Sequence, residues 1–71
     1  MNFDYTELTN AIYRTCGTQK AFAEAMNMTQ AKLSSRLNNR TAWTQDEIKR
    51  AVQVLAIEPA AITAHFFKRS A

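Results

Sequence analysis

Apolar residues recur along this chain at the three- and four-residue spacing of helices and nowhere alternate at the two-residue spacing of strands. In the first stretch Tyr5, Leu8 and Ile12 share one helical face. The pattern predicts Asp4 as its N-cap, with Glu7 completing a capping-box-like pair and Phe3 stapled onto Leu8. Cys16 and Gly17 close this helix, because glycine takes the left-handed conformation that ends many helices.

A second, two-turn helix is predicted from Thr18 as N-cap through Met26, with Ala21, Phe22, Ala25 and Met26 inward. Asn27 suits the left-handed geometry of a tight turn, and Thr29 then caps a third helix, with Met28 placed to staple onto Leu33. Asn38, Asn39 and Arg40 form a polar break. Trp43, Thr44, Glu47 and Ile48 combine a staple and a capping box, the strongest start signal in the chain. Ile48, Ala51, Val52 and Leu55 follow on one face, and Lys49, Arg50 and Gln53 on the other. Glu58 and Pro59 read as N-cap and first residue of a fifth helix, with Ile62 and Phe66 on its apolar face. The expected fold class is all-α: a compact bundle of five short helices, with a helix-turn-helix formed by helices 2 and 3. Residues 1–67 form the domain, and residues 68–71 a short basic tail that is either a mobile arm or a solvated end.

Size and composition narrow this picture. With 71 residues, 46% of them hydrophobic, the chain can build one core near the lower size limit for unaided folding. The single cysteine, Cys16, cannot form an internal disulfide, and no Cys/His spacing suits zinc, so a reducing compartment fits best. No leader or apolar span is evident, and the expected location is the cytoplasm. Cys16 and His65 fall in different helices without a nucleophile-and-base motif, so no enzyme, metal, cofactor or small-molecule ligand is expected. The net charge of +3 weakly favours a polyanionic partner, and its distribution says more. Residues 19–50 carry six Lys/Arg against three acids, whereas residues 1–18 are net negative.

The segment from Thr18 to Arg40 concentrates that charge around the turn. Ala23 is small where the helices cross, and Phe22, Met26 and Leu33 fill the angle between them. Leu33 and Leu37 point inward on the third helix, leaving Ala31, Ser34, Ser35 and Asn38 outside, a small polar face suited to close approach to base edges. Gln30, in the first turn, can pair its amide with adenine. Lys20, Arg36 and Arg40 serve either as solvated surface or as phosphate contacts, and Arg36 with Lys32 either touches phosphate or pairs with an acid such as Glu24. Trp43 reads as core from its staple position, or as a stack on a sugar or phosphate group.

Taken together, Gln19, Phe22, Ala23, Met26, Asn27, Met28 and Thr29 resemble the lambda-repressor-like helix-turn-helix family, in particular small phage Cro-like regulators. The run LSSRLNNRTAWTQDEI is similar to phage members too. Asn27 stands where glycine is commoner, and Arg36 where many members bury an aliphatic residue. The resemblance implies base contacts from Gln30, Ala31, Ser34 and Ser35. It implies phosphate contacts from Gln19, Asn38 and neighbouring groups, which together with the charge reading gives Thr18, Lys20, Lys32, Arg36, Asn39 and Arg40 as further candidates. The implied function is a repressor in a bacterial host cell, binding double-stranded operator DNA as a homodimer, with Phe66 and Phe67 as candidate dimer contacts. Two alternatives stand beside it. One is a small phage activator; the other is a protein-interaction module of antitoxin or antirepressor type, using the fifth helix and the Phe pair while its helix-turn-helix is vestigial.

Overall fold

Three of the five helices start at a threonine whose hydroxyl accepts a backbone N–H three residues on. In the computed structural model, which describes residues 2–70, these are α2 (Gln19–Ala25) behind Thr18, α3 (Gln30–Leu37) behind Thr29 and α4 (Gln45–Leu55) behind Thr44. Met1 and Ala71, the outer ends of the expected domain and tail, lie outside the described residues. At Thr44 the capping box is complete: the Thr44 hydroxyl accepts from the Glu47 N–H at 3.1 Å, and Glu47 Oε1 accepts from the Thr44 N–H at 3.0 Å.

The first helix, α1 (Thr6–Cys16), begins differently from the expectation. Tyr5 holds the N-cap position with no side-chain bond. Asp4 instead accepts from the Thr6 N–H at 2.9 Å and the Thr6 hydroxyl at 2.6 Å. Its own N–H donates to the Lys68 carbonyl at 2.7 Å, so Asp4 links the first residue of the helix to the C-terminal segment. The far end is as predicted, with Gly17 at φ +84°.

The core gathers one face from every helix. Leu8, Ile12, Phe22, Leu33 and Phe66 are fully buried, with Ala23 and Ala51 where helices approach closely. Ala25 is exposed and Ala21 only half-buried, so α2 turns a narrower face inward than its pattern suggests. Arg50 on α4 donates to the Met26 carbonyl at 3.0 Å, satisfying a free carbonyl at the end of α2. The expected fifth helix divides into a 3-10 turn, Pro59–Ala61, and α5 (Ile62–Phe66); Pro59 occupies the first position and Glu58 makes no side-chain cap. Before it, Ala56 closes α4 in the left-handed conformation, φ 52° and ψ 44°, without being glycine.

The chain ends meet. Phe3 lies opposite Arg69 in a short antiparallel pairing, closed by the Asp4 bond to Lys68 and by the Ser70 N–H donating to the Asn2 carbonyl at 3.2 Å. On its other edge Phe3 is held by one side chain: its N–H donates to Asn39 Oδ1 at 2.9 Å, and Asn39 Nδ2 donates to its carbonyl at 3.0 Å. Residues 68–70 of the expected basic tail are thus exposed and backbone-paired with residues 2–4.

Candidate functional site

The helix-turn-helix forms as its offsets predict. Asn27 takes φ +56°, and the Met28 N–H donates to the Ala23 carbonyl at 2.9 Å, folding the turn between α2 and α3. Phe22, Ala23, Met26 and Leu33 are buried in the angle. On the outside of α3, Gln30, Ala31, Ser34 and Asn38 are exposed, and Ser35 is half-buried. The expected reading face thus exists as a surface, small, polar and almost without charge.

Its cations are placed less freely. Arg36, with a side chain only 11% exposed, turns away from that surface toward α4. Its Nε donates to Glu47 Oε1 at 2.9 Å and its Nη2 to Glu47 Oε2 at 3.0 Å, while Nη1 donates to the Thr41 hydroxyl at 2.6 Å. The planar guanidinium meets the carboxylate edge to edge, the strongest geometry such a pair has. These bonds hold the Glu47 carboxyl below its ordinary range, helped by the Thr44 N–H and the nearby Lys32, and raise Arg36 above its own. Lys32 is half-exposed and points to the same carboxylate at 3.7 Å. Glu47 thus pairs with Arg36 and draws Lys32 toward it, leaving the trio one net positive charge, and the acid is Glu47 rather than Glu24.

Other expected phosphate contacts are also occupied. Thr18 uses its hydroxyl to cap α2, accepting from the Ala21 N–H at 3.0 Å. Asn38 donates to the Ser34 carbonyl at 2.9 Å, within its own helix. Asn39 spends its whole amide on Phe3. Gln19 is half-buried, while Lys20 and Arg40 are exposed and, among the described residues, make no ion pair. What remains outward near the turn without an ion pair is Lys20 and Arg40, with Lys32 half-exposed beside Glu47.

The aromatic residues divide. Phe66 is 2% exposed and packs edge-on to Trp43 at 5.3 Å, so a second copy cannot reach it as a dimer contact. Phe67 is 46% exposed and edge-on to Phe3 at 6.0 Å. Trp43 is a core residue, also edge-on to Tyr5 at 6.4 Å; its indole N–H is buried and has no partner among the described residues. Neither of the two residues that invite a catalytic reading joins a site. Cys16 is a half-buried free thiol, and His65 Nδ1 lies 2.7 Å from the Ala61 carbonyl one turn back. Among the described residues no group of three or more His, Cys, Asp or Glu could hold a metal, and no helix is long and apolar enough to cross a membrane.

One feature of this surface escaped sequence reasoning. Local spacing marks Glu47 as half of a capping box, and only the fold shows the same carboxylate holding Arg36 of α3. The available signal was Arg36 itself, a long cation at a position where similar chains bury an aliphatic side chain.

Against known proteins, a family model described as "Protein of unknown function (DUF739)" matches residues 1–69. The chain is similar to the modulator of repression (MOR) of the temperate bacteriophage TP901-1 from Lactococcus lactis. That solution structure is 42% identical, with a TM-score of 0.82, and the match covers 94% of this chain and 90% of the other. No curated protein matches. This similarity overturns the expected Cro-like repressor and its operator-DNA partner, because the solved relative is a modulator of repression, not a repressor. With them goes the expected two-fold dimer on a palindromic site. The helix-turn-helix geometry was read correctly, and the inference from geometry to DNA was not; a fold carries no function by itself.

Proposed function

The chain belongs to the DUF739 family, and we propose that it is a phage regulatory protein of antirepressor type, acting by binding a repressor rather than an operator. The observation that carries this reading is the 42% identity, across 94% of the chain, to a phage modulator of repression. The α3 surface supports it. A helix-turn-helix whose Arg36 is locked onto Glu47, with Lys32 drawn toward the same carboxylate, keeps the shape of a DNA reader with less of its helix-3 charge turned outward. We read the resemblance to lambda-repressor-like regulators in the same way, as a shared scaffold turned to a protein partner. The role needs no catalysis, cofactor or metal, and its setting is the cytoplasm of the bacterial host.

The test uses the repressor encoded in the same phage genome, purified and titrated with this chain. The expected outcome is co-elution as a defined complex, together with a change in the repressor's occupancy of a labelled operator as the chain is added. A repressor that elutes separately and holds its operator equally well at every concentration of the chain overturns the proposal.

A further inference from the structure

A groove of about 420 Å³ runs along the outer side of α4. Ile48, Val52, Ile62 and Phe67 form its apolar lining, and Gln45, Lys49 and Gln53 the α4 ridge beside it. Phe67, at its edge, is one of the two large apolar side chains exposed on the described surface. Apolar surface rimmed by polar side chains is the arrangement a docking site offers. Resting on the antirepressor reading above, we infer that this groove is where the partner docks, and that what it takes is an amphipathic helix carrying a carboxylate beside its apolar stripe.

Three observations select that occupant. Length comes first: from Gln45 to Gln53 the ridge spans nine residues, eight steps or about 12 Å at the helical rise, which matches two turns of a partner helix. Backbone chemistry comes second. The groove is walled by helices whose N–H and C=O groups bond within themselves, so an extended peptide finds no ladder there, whereas a helix brings its own hydrogen bonds satisfied. Charge comes third. Lys49 is the one ionisable residue lining the groove, is exposed, and makes no ion pair among the described residues. A carboxylate opposite it fixes register and speeds encounter, and a cation there is repelled.

A second copy of the chain fits poorly. Among the described residues its large exposed apolar side chain apart from Phe67 is Tyr13, and one turn back from Tyr13 on α1 stand Thr9 and Asn10, which make no apolar stripe. The occupant is therefore a helix of another protein.

The experiment titrates the full-length chain against the repressor from the same phage genome by calorimetry, for wild type, Lys49→Glu, Val52→Glu and a control on the α3 face, Ser34→Glu. Circular dichroism and melting confirm that each variant is folded, and Lys49→Glu, at an exposed position, keeps the test alive should Val52→Glu unfold. Expected are a loss of roughly 100-fold or more for Val52→Glu, a loss of about tenfold with a flattened salt dependence for Lys49→Glu, and no change for Ser34→Glu. An Asp or Glu to Lys change on the mapped repressor helix should restore binding to Lys49→Glu. Wild-type binding by both groove variants overturns the groove assignment and leaves the antirepressor reading standing. No binding by the wild type overturns that reading, and the groove assignment with it. A wild-type dimer in sedimentation that the groove variants dissolve shows a second copy in the groove and overturns the choice of occupant.

Discussion

Removing the Glu47 carboxylate tests the geometry of α3 most sharply. Glu47→Ala deletes two hydrogen bonds from Arg36, one from the Thr44 N–H and the attraction of Lys32. The Arg36 and Glu47 side chains are 11% and 15% exposed, so the pair stands mostly out of water but not wholly. Breaking a fully buried pair costs about 3–5 kcal/mol and an exposed one under about 1, which places this one at about 2 kcal/mol. Loss of the capping-box half adds about 0.5–1 kcal/mol. A chain of this size melts about 4–8 °C lower per kcal/mol, so the melting temperature should fall by roughly 10–20 °C. Arg36→Ala should cost about 2 kcal/mol, because it strands the carboxylate. The double variant should cost less than the two singles together, with a coupling of about 1–1.5 kcal/mol. Urea titrations of all four proteins by circular dichroism measure it. A coupling below about 0.5 kcal/mol, the level at which unlinked sites add, refutes the claim that Arg36 is locked onto α4.

The same pair fixes a pH dependence. Since the folded state holds the Glu47 carboxyl below its unfolded value, its stabilisation is present above the unfolded carboxyl range and is lost as pH falls through the lower folded value. Acid titration of stability should show a steeper loss for wild type than for Glu47→Gln; parallel curves contradict it. Ala56→Gly should stabilise by about 0.5–1 kcal/mol, because Ala56 holds a left-handed cap at φ 52° that glycine adopts without strain, and a lower melting temperature counts against this. Asn39→Ala removes both bonds to Phe3 at a residue with φ +61°, and should cost about 2 kcal/mol by urea titration. Asn39→Gly should recover part of that loss through the backbone, and equal losses for the two variants refute the division. Phe22→Ala, at a fully buried position beneath the turn, should cost about 3–5 kcal/mol and leave the chain largely unfolded at 37 °C by circular dichroism.

The helices were legible where their signals are local. Thr18, Thr29 and Thr44 cap as their neighbours predict, Gly17 and Asn27 turn as their conformational freedom allows, and the spacing of Leu8, Ile12, Leu33, Ala51 and Leu55 identifies core positions. Contacts between distant residues were not legible. Asn39 grips Phe3 across 36 positions, and the pairing of residues 2–4 with 68–70 gives the Asp4 backbone a long-range partner while its carboxylate stays on Thr6. Ala56 carries no glycine-like mark of its left-handed turn; closure of α4 onto the next turn imposes it. The functional error has the same origin. Arg36 and Lys32 look like a basic flank along α3, and only the packing of α4 shows Arg36 paired with Glu47 and Lys32 drawn toward the same carboxylate. Sequence spacing reveals the shape of a DNA reader, while its charge state is a tertiary property.

The central claim is that the chain acts on a protein and not on an operator. Its most direct test is one titration series at two salt concentrations: the chain against the repressor of the same phage genome, and the chain alone against operator and random duplexes. The account predicts a defined complex with the repressor and only weak DNA binding, indifferent to sequence, that disappears at the higher salt. Selective binding of the operator by the chain alone, with no complex formed with the repressor, would contradict it.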